Sequence, residues 1–447
     1  MKKISLLLMA GLTFSGAYST SVIADTAQAG TEQTAEKAEQ SAEGQAEENQ
    51  VDASPRVRRT QTLREVVYSQ LEEARSQADE GEFEAALLTL ERLERRKRNS
   101  YERAMTHNMY AYVYSTKEDY EAAIPAYEAV LEIDNAPDSL KQTTRFTLAK
   151  LHMMQEDFES SLAVLNEWME SSDNVGADAF MLRSQIQYQR QQYDLAGSDI
   201  ATAIQMRKDA DKKVAENWLL LQRAVLFQQK DYKGLAVNLE ALIANYSKGE
   251  YWMQLAAVYN ELDRADEELA TLETAYDQKL MSKESEYLNF AQALLSREIP
   301  FKAAAVLEQA MQDGSVEKSA RNLSLLGDAW MMAKEYDKAI VSMTAAADES
   351  GKGTDYFKLA QIYTERQEWN KSLQFTDKAL ATDDLKAPYQ ALIIKGLAQY
   401  NLDRLEDASL TFFKAAGYPQ AEKVAHQWQE YIESEQQRRE YIASAGI

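Results

Sequence analysis

The sequence predicts an all-α fold: a solenoid of about ten helix–turn–helix repeats closed by a C-terminal capping helix. Three observations carry that expectation. A phrase of the form acid–aromatic–x–x–small–aliphatic, best formed at Asp119-Tyr120-Glu121-Ala122-Ala123-Ile124, recurs at intervals of 33 to 39 residues. A period near that length signals stacked helical hairpins. Small residues accompany the phrase at two fixed offsets and bulky ones at a third. The 447 residues include only six prolines and 16 glycines, with abundant Ala, Glu, Leu and Lys, as suits a chain that is mostly helix.

At the N-terminus, Met1-Lys2-Lys3 precedes an apolar run from Ile4 to about Ala17. Val22-Ile23-Ala24 and Ala27-Gln28-Ala29 each offer small residues at the −3 and −1 positions of a signal-peptidase site. This three-part form predicts a signal peptide over residues 1–24, cleaved after Ala24 or Ala29, and a periplasmic mature protein. The apolar run falls short of the roughly 20 residues that span a bilayer. No other stretch is apolar for that length, so no transmembrane segment is expected in the mature form. Residues 25–60 are expected to be a disordered acidic linker. Between Asp25 and Ser54 there are eight acids against Lys37 alone and no aromatic, too little apolar area to offset the entropy of ordering. A partner-binding arm is the alternative reading. Pro55 marks the boundary with the folded part.

Charge and cysteine usage exclude several classes. The formal charge is −23, and a chain so acidic repels polyphosphates, so no nucleic-acid partner is expected. The absence of cysteine removes disulfides, thiolate metal sites, cysteine nucleophiles and a lipid-modified N-terminal cysteine.

The repeats align on ten positions: Phe83, Tyr120, Phe158, Tyr193, Tyr232, Ala265, Pro300, Tyr336, Trp369 and Leu405. Nine residues earlier stand Ala74, Ala111, Ala149, Ser184, Arg223, Ala256, Ala291, Gly327, Ala360 and Gly396. Three residues later stand Ala86, Ala123, Ser161, Ala196, Leu235, Glu268, Ala303, Ala339, Ser372 and Ala408. Two helices of a hairpin approach closely where they cross, and large side chains there would hold them apart. Seven residues after each anchor the residue is bulky (Leu90, Tyr127 and Leu165 among them), with Thr376 the exception; these are expected to fill the space between successive hairpins. Arg223, Leu235 and Glu268 break the small-residue rule. They follow or adjoin a polar insertion around 206–213, so the solenoid of residues 61–417 is expected to be irregular near 205–270 and divided there into two lobes.

Tyr418-Pro419 ends one helix, and residues 418–447 form the capping helix and tail. Val424, Trp428, Tyr431 and Ile432 fall at i, i+4, i+7 and i+8, an apolar stripe suited to covering the last repeat. The polar run beyond Glu433 lacks such a stripe.

Chemistry-bearing motifs are absent. His152 occupies a slot shared with Tyr114, Tyr259, Trp330 and Tyr363 that packs inside the hairpin, so it is expected in the core. His107 and His426 lack acidic or nucleophilic company at short spacing. Ser350-Gly351-Lys352-Gly353-Thr354 lacks the strand context of a phosphate loop and is expected to be a turn. Met153-Met154 and Met331-Met332 fit core filling. The sequence thus predicts no enzyme, no cofactor and no metal. One dense basic cluster, Arg92, Arg95, Arg96, Lys97 and Arg98, closes the second helix of the first repeat. Cations there complement a helix C-terminus; the sharper reading is a docking patch for an acidic partner segment or anionic headgroups.

The small–aromatic–small pattern resembles the tetratricopeptide repeat, a helix–turn–helix unit of about 34 residues, from roughly Leu63 to Ala416. That resemblance implies a right-handed superhelix whose concave groove is lined by each first helix. It places Asn108, Tyr112, Lys150, Gln185 and Tyr188 on that groove, where tyrosines and amides suit an extended protein or peptide segment. A solvated wall without ligand is the plainer reading. Several longer phrases are more specific: Asn99-Ser-Tyr-Glu-Arg-Ala104, Glu216-Asn-Trp-Leu-Leu-Leu221, Lys248-Gly-Glu-Tyr-Trp-Met-Gln-Leu-Ala-Ala-Val-Tyr259 and Leu280-Met-Ser-Lys-Glu-Ser-Glu286. With Tyr110–Tyr114 and Glu118–Ile124 they resemble periplasmic tetratricopeptide proteins described as components of the TonB system. The resemblance implies a non-enzymatic protein-interaction adaptor for energised outer-membrane uptake of iron complexes, with TonB-, ExbB- or ExbD-type proteins or their receptors as partners. The alternative is a scaffold for outer-membrane or peptidoglycan assembly machinery.

Overall fold

The computed structural model describes residues 62–445, so the signal peptide expected over 1–24 and the linker expected over 25–60 lie outside the described residues. Within 62–445 the chain forms 21 helices and no strand. It divides into two compact units, the first ending at Ala241 and the second beginning at Leu242.

In the first unit α1 (Glu65–Asp79) packs on α2 (Phe83–Glu94), α3 (Ser100–Thr116) on α4 (Tyr120–Leu131), α5 (Asp138–Met154) on α6 (Phe158–Ser171), and α7 (Ala177–Gln189) on α8 (Tyr193–Asp209). Then α9 (Glu216–Gln228) leads into α10 (Tyr232–Tyr246), inside which the division falls. The second unit pairs α11 (Gly249–Glu261) with α12 (Ala265–Asp277), α13 (Glu284–Ser296) with α14 (Pro300–Gln312), α15 (Ala320–Met332) with α16 (Tyr336–Ser350), α17 (Gly353–Glu365) with α18 (Trp369–Leu380), and α19 (Pro388–Asn401) with α20 (Leu405–Ala416). The last helix, α21 (Glu422–Ala445), packs on α20. All ten sequence anchors, from Phe83 to Leu405, are the first residue of a second helix.

The turns within these ten hairpins share one device. Two residues before each anchor the backbone is left-handed: at Gly81, and at nine non-glycine residues from Glu118 to Asp403 with φ between 56° and 65°. That conformation lets the chain close the first helix with a paired bond. Asp119 N–H donates to Tyr114 O at 2.9 Å and Glu118 N–H to Ser115 O at 3.1 Å, which satisfies carbonyls the helix end would leave unpaired. The same pair recurs at Glu368–Tyr363 (2.8 Å) and Gln367–Thr364 (2.9 Å). Where the next residue is an aspartate, it starts the second helix. Asp119, Asp157 and Asp231 each accept, through Oδ1, from the backbone N–H three residues on, at 3.2, 3.1 and 3.0 Å. The aspartate of the recurring phrase is therefore an N-cap, whereas Glu82, Glu335 and Glu368 at the same position make no side-chain cap bond.

The small residues sit where the helices cross. Ser161 Oγ on α6 donates to Ala149 O on α5 at 2.6 Å, and Ser184 Oγ on α7 donates to Ala196 O on α8 at 2.8 Å. Ala74, Ala111, Ala123, Ala291, Ala303 and Ala408 have no exposed surface. The exceptions are accommodated differently. Arg223 and Leu235 are buried, while Glu268 is half-buried and accepts from Asn260 Nδ2 at 2.9 Å. The bulky residues expected between hairpins do more than that. Tyr127 clusters with Leu148 and Leu151 of the next hairpin, and Leu165 with Leu182 and Ile186. Phe412 also lies against its own hairpin's Gly396, where an added Cβ would stand 2.7 Å from the ring. Full burial of leucines such as Leu90 and Leu165 contributes about 1.5–3 kcal/mol each.

At the C-terminal end the expected stripe is corrected. Val424 and Tyr431 are 44% and 54% exposed, whereas Ala421, Ala425 and Ile432 are buried. Trp428 stacks on Phe412 with ring centroids 5.5 Å apart. The covering face is thus 421, 425, 428 and 432, a helical spacing that the two alanines concealed. No helix among the described residues is long and apolar enough to cross a membrane.

Candidate functional site

Three first helices of the second unit, α13, α15 and α17, line an open cleft of about 380 Å³. Leu288 and Gln292 come from α13, and Ala320, Arg321, Asn322, Ser324, Leu325 and Asp328 from α15. Ser350, Lys352, Thr354, Asp355 and Lys358 come from the end of α16 and the start of α17. The floor is a closed polar network. Lys358 Nζ donates to Asp328 Oδ2 at 2.6 Å and to Ser324 Oγ at 2.9 Å. Ser324 Oγ donates to Asp355 Oδ1 at 3.0 Å, and Ser350 Oγ to Asp355 Oδ2 at 2.6 Å. Asp355 is buried in the first turn of α17, where the helix dipole favours a negative charge. Burial pushes the Asp328 carboxyl above its ordinary pKa, and the hydrogen bond from Lys358 opposes that shift. Arg321 and Lys352 stand exposed at the mouth. The arrangement presents two apolar side chains, fixed hydroxyls and a cationic lip, which suits an extended segment better than a reaction centre.

The turn expected at Ser350–Thr354 is the two-residue link Gly351-Lys352 between α16 and α17, and three residues of the stretch also border this cleft. Gly351 is left-handed at φ 64°. Gly353 N–H donates to Asp384 Oδ1 at 3.0 Å, and a Cβ there would stand 1.9 Å from Thr382 Oγ1. A glycine is therefore needed to begin α17 at this point.

The groove residues picked from the sequence lie in the first unit. Asn108, Lys150, Gln185 and Tyr188 are half-buried. Tyr112 is not on a free wall: it is 7% exposed, packs in the core with Val67, Leu71 and Leu90, and donates its hydroxyl to Asp79 Oδ1. Lys150 places Nζ 4.6 Å from the centre of the Phe146 ring, and burial pushes its ammonium pKa down. Tyr188 sets its ring edge-on to the anchor Tyr193, with centroids 5.6 Å apart. Counted from the anchors, Asn108 is at −12 and Tyr112, Lys150 and Gln185 are at −8. Leu288 and Ser324 share the first register, and Gln292 and Asp328 the second. The cleft is thus built from the same helical positions, five hairpins further on.

In the basic cluster, Arg92, Arg95, Arg96 and Lys97 are exposed. The Arg98 side chain is 9% exposed, reaching Glu94 Oε1 at 3.9 Å and Glu94 O at 3.4 Å. Its Nε and Nη1 are buried without a hydrogen-bond partner. His152 lies against Asp157, Nδ1 to Oδ2 3.5 Å, with 13% of its side chain exposed. Burial lowers the pKa of His107. No group of three His, Cys, Asp or Glu among the described residues is placed to hold a metal ion.

Helical hairpins that cross at small residues and carry their polar cleft on the first-helix face have the architecture of a tetratricopeptide-like solenoid. Such folds typically act as non-catalytic scaffolds that bind protein or peptide partners. The tetratricopeptide repeat family model matches residues 71–139, from α1 to the start of α5. No curated protein matches the chain. Among solved structures, the chain is similar to YrrB, described as a TPR protein with an unusual peptide-binding site: 14% identity over 43% of this chain and 96% of that one, TM-score 0.37. It is also similar to the C-terminal part of a TPR repeat-containing protein from Cytophaga hutchinsonii, at 13% identity, 55% and 99% coverage and TM-score 0.38. A tetratricopeptide repeat protein from Parabacteroides merdae gives 15% identity, 59% and 98% coverage and TM-score 0.34.

Proposed function

We propose that this chain is a non-enzymatic periplasmic scaffold that holds an extended segment of a protein partner across α13, α15 and α17. The partner belongs to a TonB–ExbB–ExbD energised outer-membrane uptake system for iron complexes. The observation that carries the binding role is the cleft over Ser324, Asp328, Asp355 and Lys358, whose network leaves Arg321 and Lys352 facing outward. A peptide running over it would place carboxylates at the two cations and apolar side chains on Leu288 and Leu325. The reading as an accessory of a TonB system is supported by the signal-like N-terminus and by the phrases at 99–104, 110–124, 216–221, 248–259 and 280–286.

A photo-crosslinking residue placed at Gln292 in intact cells, followed by mass spectrometry, tests both levels. TonB, ExbB, ExbD or a receptor among the products supports the full reading. Outer-membrane or peptidoglycan assembly factors instead would keep the scaffold and replace its system. Products at Gln292 no more abundant than at an exposed control such as Gln374 would remove the cleft from the binding role.

A further inference from the structure

We infer that the exposed cations Arg92, Arg95, Arg96 and Lys97 are a docking site for this chain's own acidic N-terminal segment, residues 30–54. The helix-end reading of the cluster accounts for little of it. Only Arg92 lies inside α2, and only Arg98 among the five reaches a backbone carbonyl of its last turn, Glu94 O, at 3.4 Å. None of the four exposed side chains makes an ion pair among the described residues. Arg98 adds an independent sign. Its guanidinium is about nine-tenths buried and reaches Glu94 through Nη2 alone, with Nε and Nη1 unpartnered, so two buried donors are left for a further acceptor.

The occupant follows from where the chain enters the fold. Arg64, just before α1, donates through Nη2 to the Lys97 carbonyl at 2.6 Å. Its backbone N–H and guanidinium are tied to Glu102 at the start of α3. The entry to α1 is therefore tied to the basic loop itself. Residues 30–54 carry seven acids against Lys37, and Asp52 is 12 residues from Arg64. An extended chain rises at most about 3.6 Å per residue, so Asp52 is held within about 43 Å of the patch and Glu47 and Glu48 not far beyond. Tethering of this kind raises the local concentration of a ligand to the millimolar range, about enough to sustain pairing that free peptides would not. Neither observation depends on the cleft or on the uptake system.

Lys97 is the one amine among the four exposed cations, which makes a zero-length carbodiimide crosslink diagnostic. In the exported chain at about 0.01 M salt, Lys97 should join Glu43, Glu47, Glu48 or Asp52 about tenfold more often than the exposed Lys233 does, the factor that a few surface ion pairs supply together. The preference should vanish at about 1 M salt, where the screening length falls to about 3 Å. It should also vanish in R92E/R95E/R96E, which keeps Lys97 and all seven acids, with helicity by circular dichroism unchanged. Equal crosslinking of Lys97 and Lys233 would overturn the inference. So would products between isotope-labelled and unlabelled copies, which assign the arm to a second chain. So would protection of Lys97 by phosphatidylglycerol vesicles with no arm product, which assigns the patch to a lipid surface.

Discussion

Arg64 grips Glu102 with two nitrogens, Nε to Oε1 and Nη2 to Oε2, each at 2.8 Å. The same carboxylate accepts the Asn99 N–H at 3.0 Å, and Asn99 Oδ1 accepts the Glu102 N–H at 2.8 Å. Residues before α1 are thereby joined to the reciprocal cap that opens α3. The guanidinium hydrogen bond is the main reason the Glu102 carboxyl is held down to about 2, with burial opposing it.

Glu102 therefore binds its proton more weakly folded than unfolded, and its stabilisation is complete above the ordinary carboxylate range. It fades as pH falls from 4.5 towards about 2. Glu102→Gln should melt below the parent at pH 7, and the gap should close across that window. Thermal melts followed by circular dichroism check this; a gap that does not depend on pH would contradict the linkage.

Nine left-handed turn residues carry a side chain where glycine costs nothing. A side chain in that region costs about 1–2 kcal/mol, and glycine returns about 0.5–1 kcal/mol of that as entropy in the unfolded chain. Gln191→Gly and Gln367→Gly, uncharged positions at φ 59° and 60°, should each stabilise by about 0.5–1 kcal/mol. Gly81→Ala, at φ 81°, should destabilise by a similar amount. Chemical denaturation reads all three.

Two glycines at hairpin crossings should respond differently to alanine. At Gly396 the added Cβ meets three ring atoms of Phe412 at 2.7–2.9 Å, a rigid neighbour, so Gly396→Ala should cost about 1–3 kcal/mol. At Gly327 the closest atom is the terminal methyl of Met343, at 2.6 Å, which can swing aside. Alanine's helix preference of about 1 kcal/mol then leaves Gly327→Ala near neutral. Equal losses at the two sites would show that the ring and the thioether are equally immovable.

Tyr112→Ala should cost about 3–5 kcal/mol, as for a core aromatic. Tyr112→Phe should cost about 1 kcal/mol through the lost bond to Asp79. A binding defect without loss of stability in Tyr112→Ala would return that residue to a ligand-facing wall.

The hairpin architecture was legible because the signal is steric and local. A small residue at −9 and another at +3 must meet wherever two helices cross, and both lie within one hairpin, so a single sequence reveals them. The turn chemistry was hidden because Gly81 is the one glycine among ten equivalent positions, and Glu118 or Lys334 does not announce a left-handed backbone. The cleft was half legible. Register −12 and −8 points to Ser324 and Asp328 as readily as to Asn108 and Tyr112, but the side chain decides whether the position faces solvent or fills the core. Nor does the pattern reveal that Asp355 is bound by hydroxyls of Ser324 and Ser350, 31 residues and five residues away.

Each of the ten turns closes its first helix with bonds spanning no more than six residues, so every hairpin holds its own fastening. Under tension applied between its ends, such a chain surrenders length in discrete steps of roughly one hairpin. A released step refastens without waiting for distant partners, because the pairings involved are near in sequence. Its extension should therefore proceed through many small detents rather than at a single breaking point.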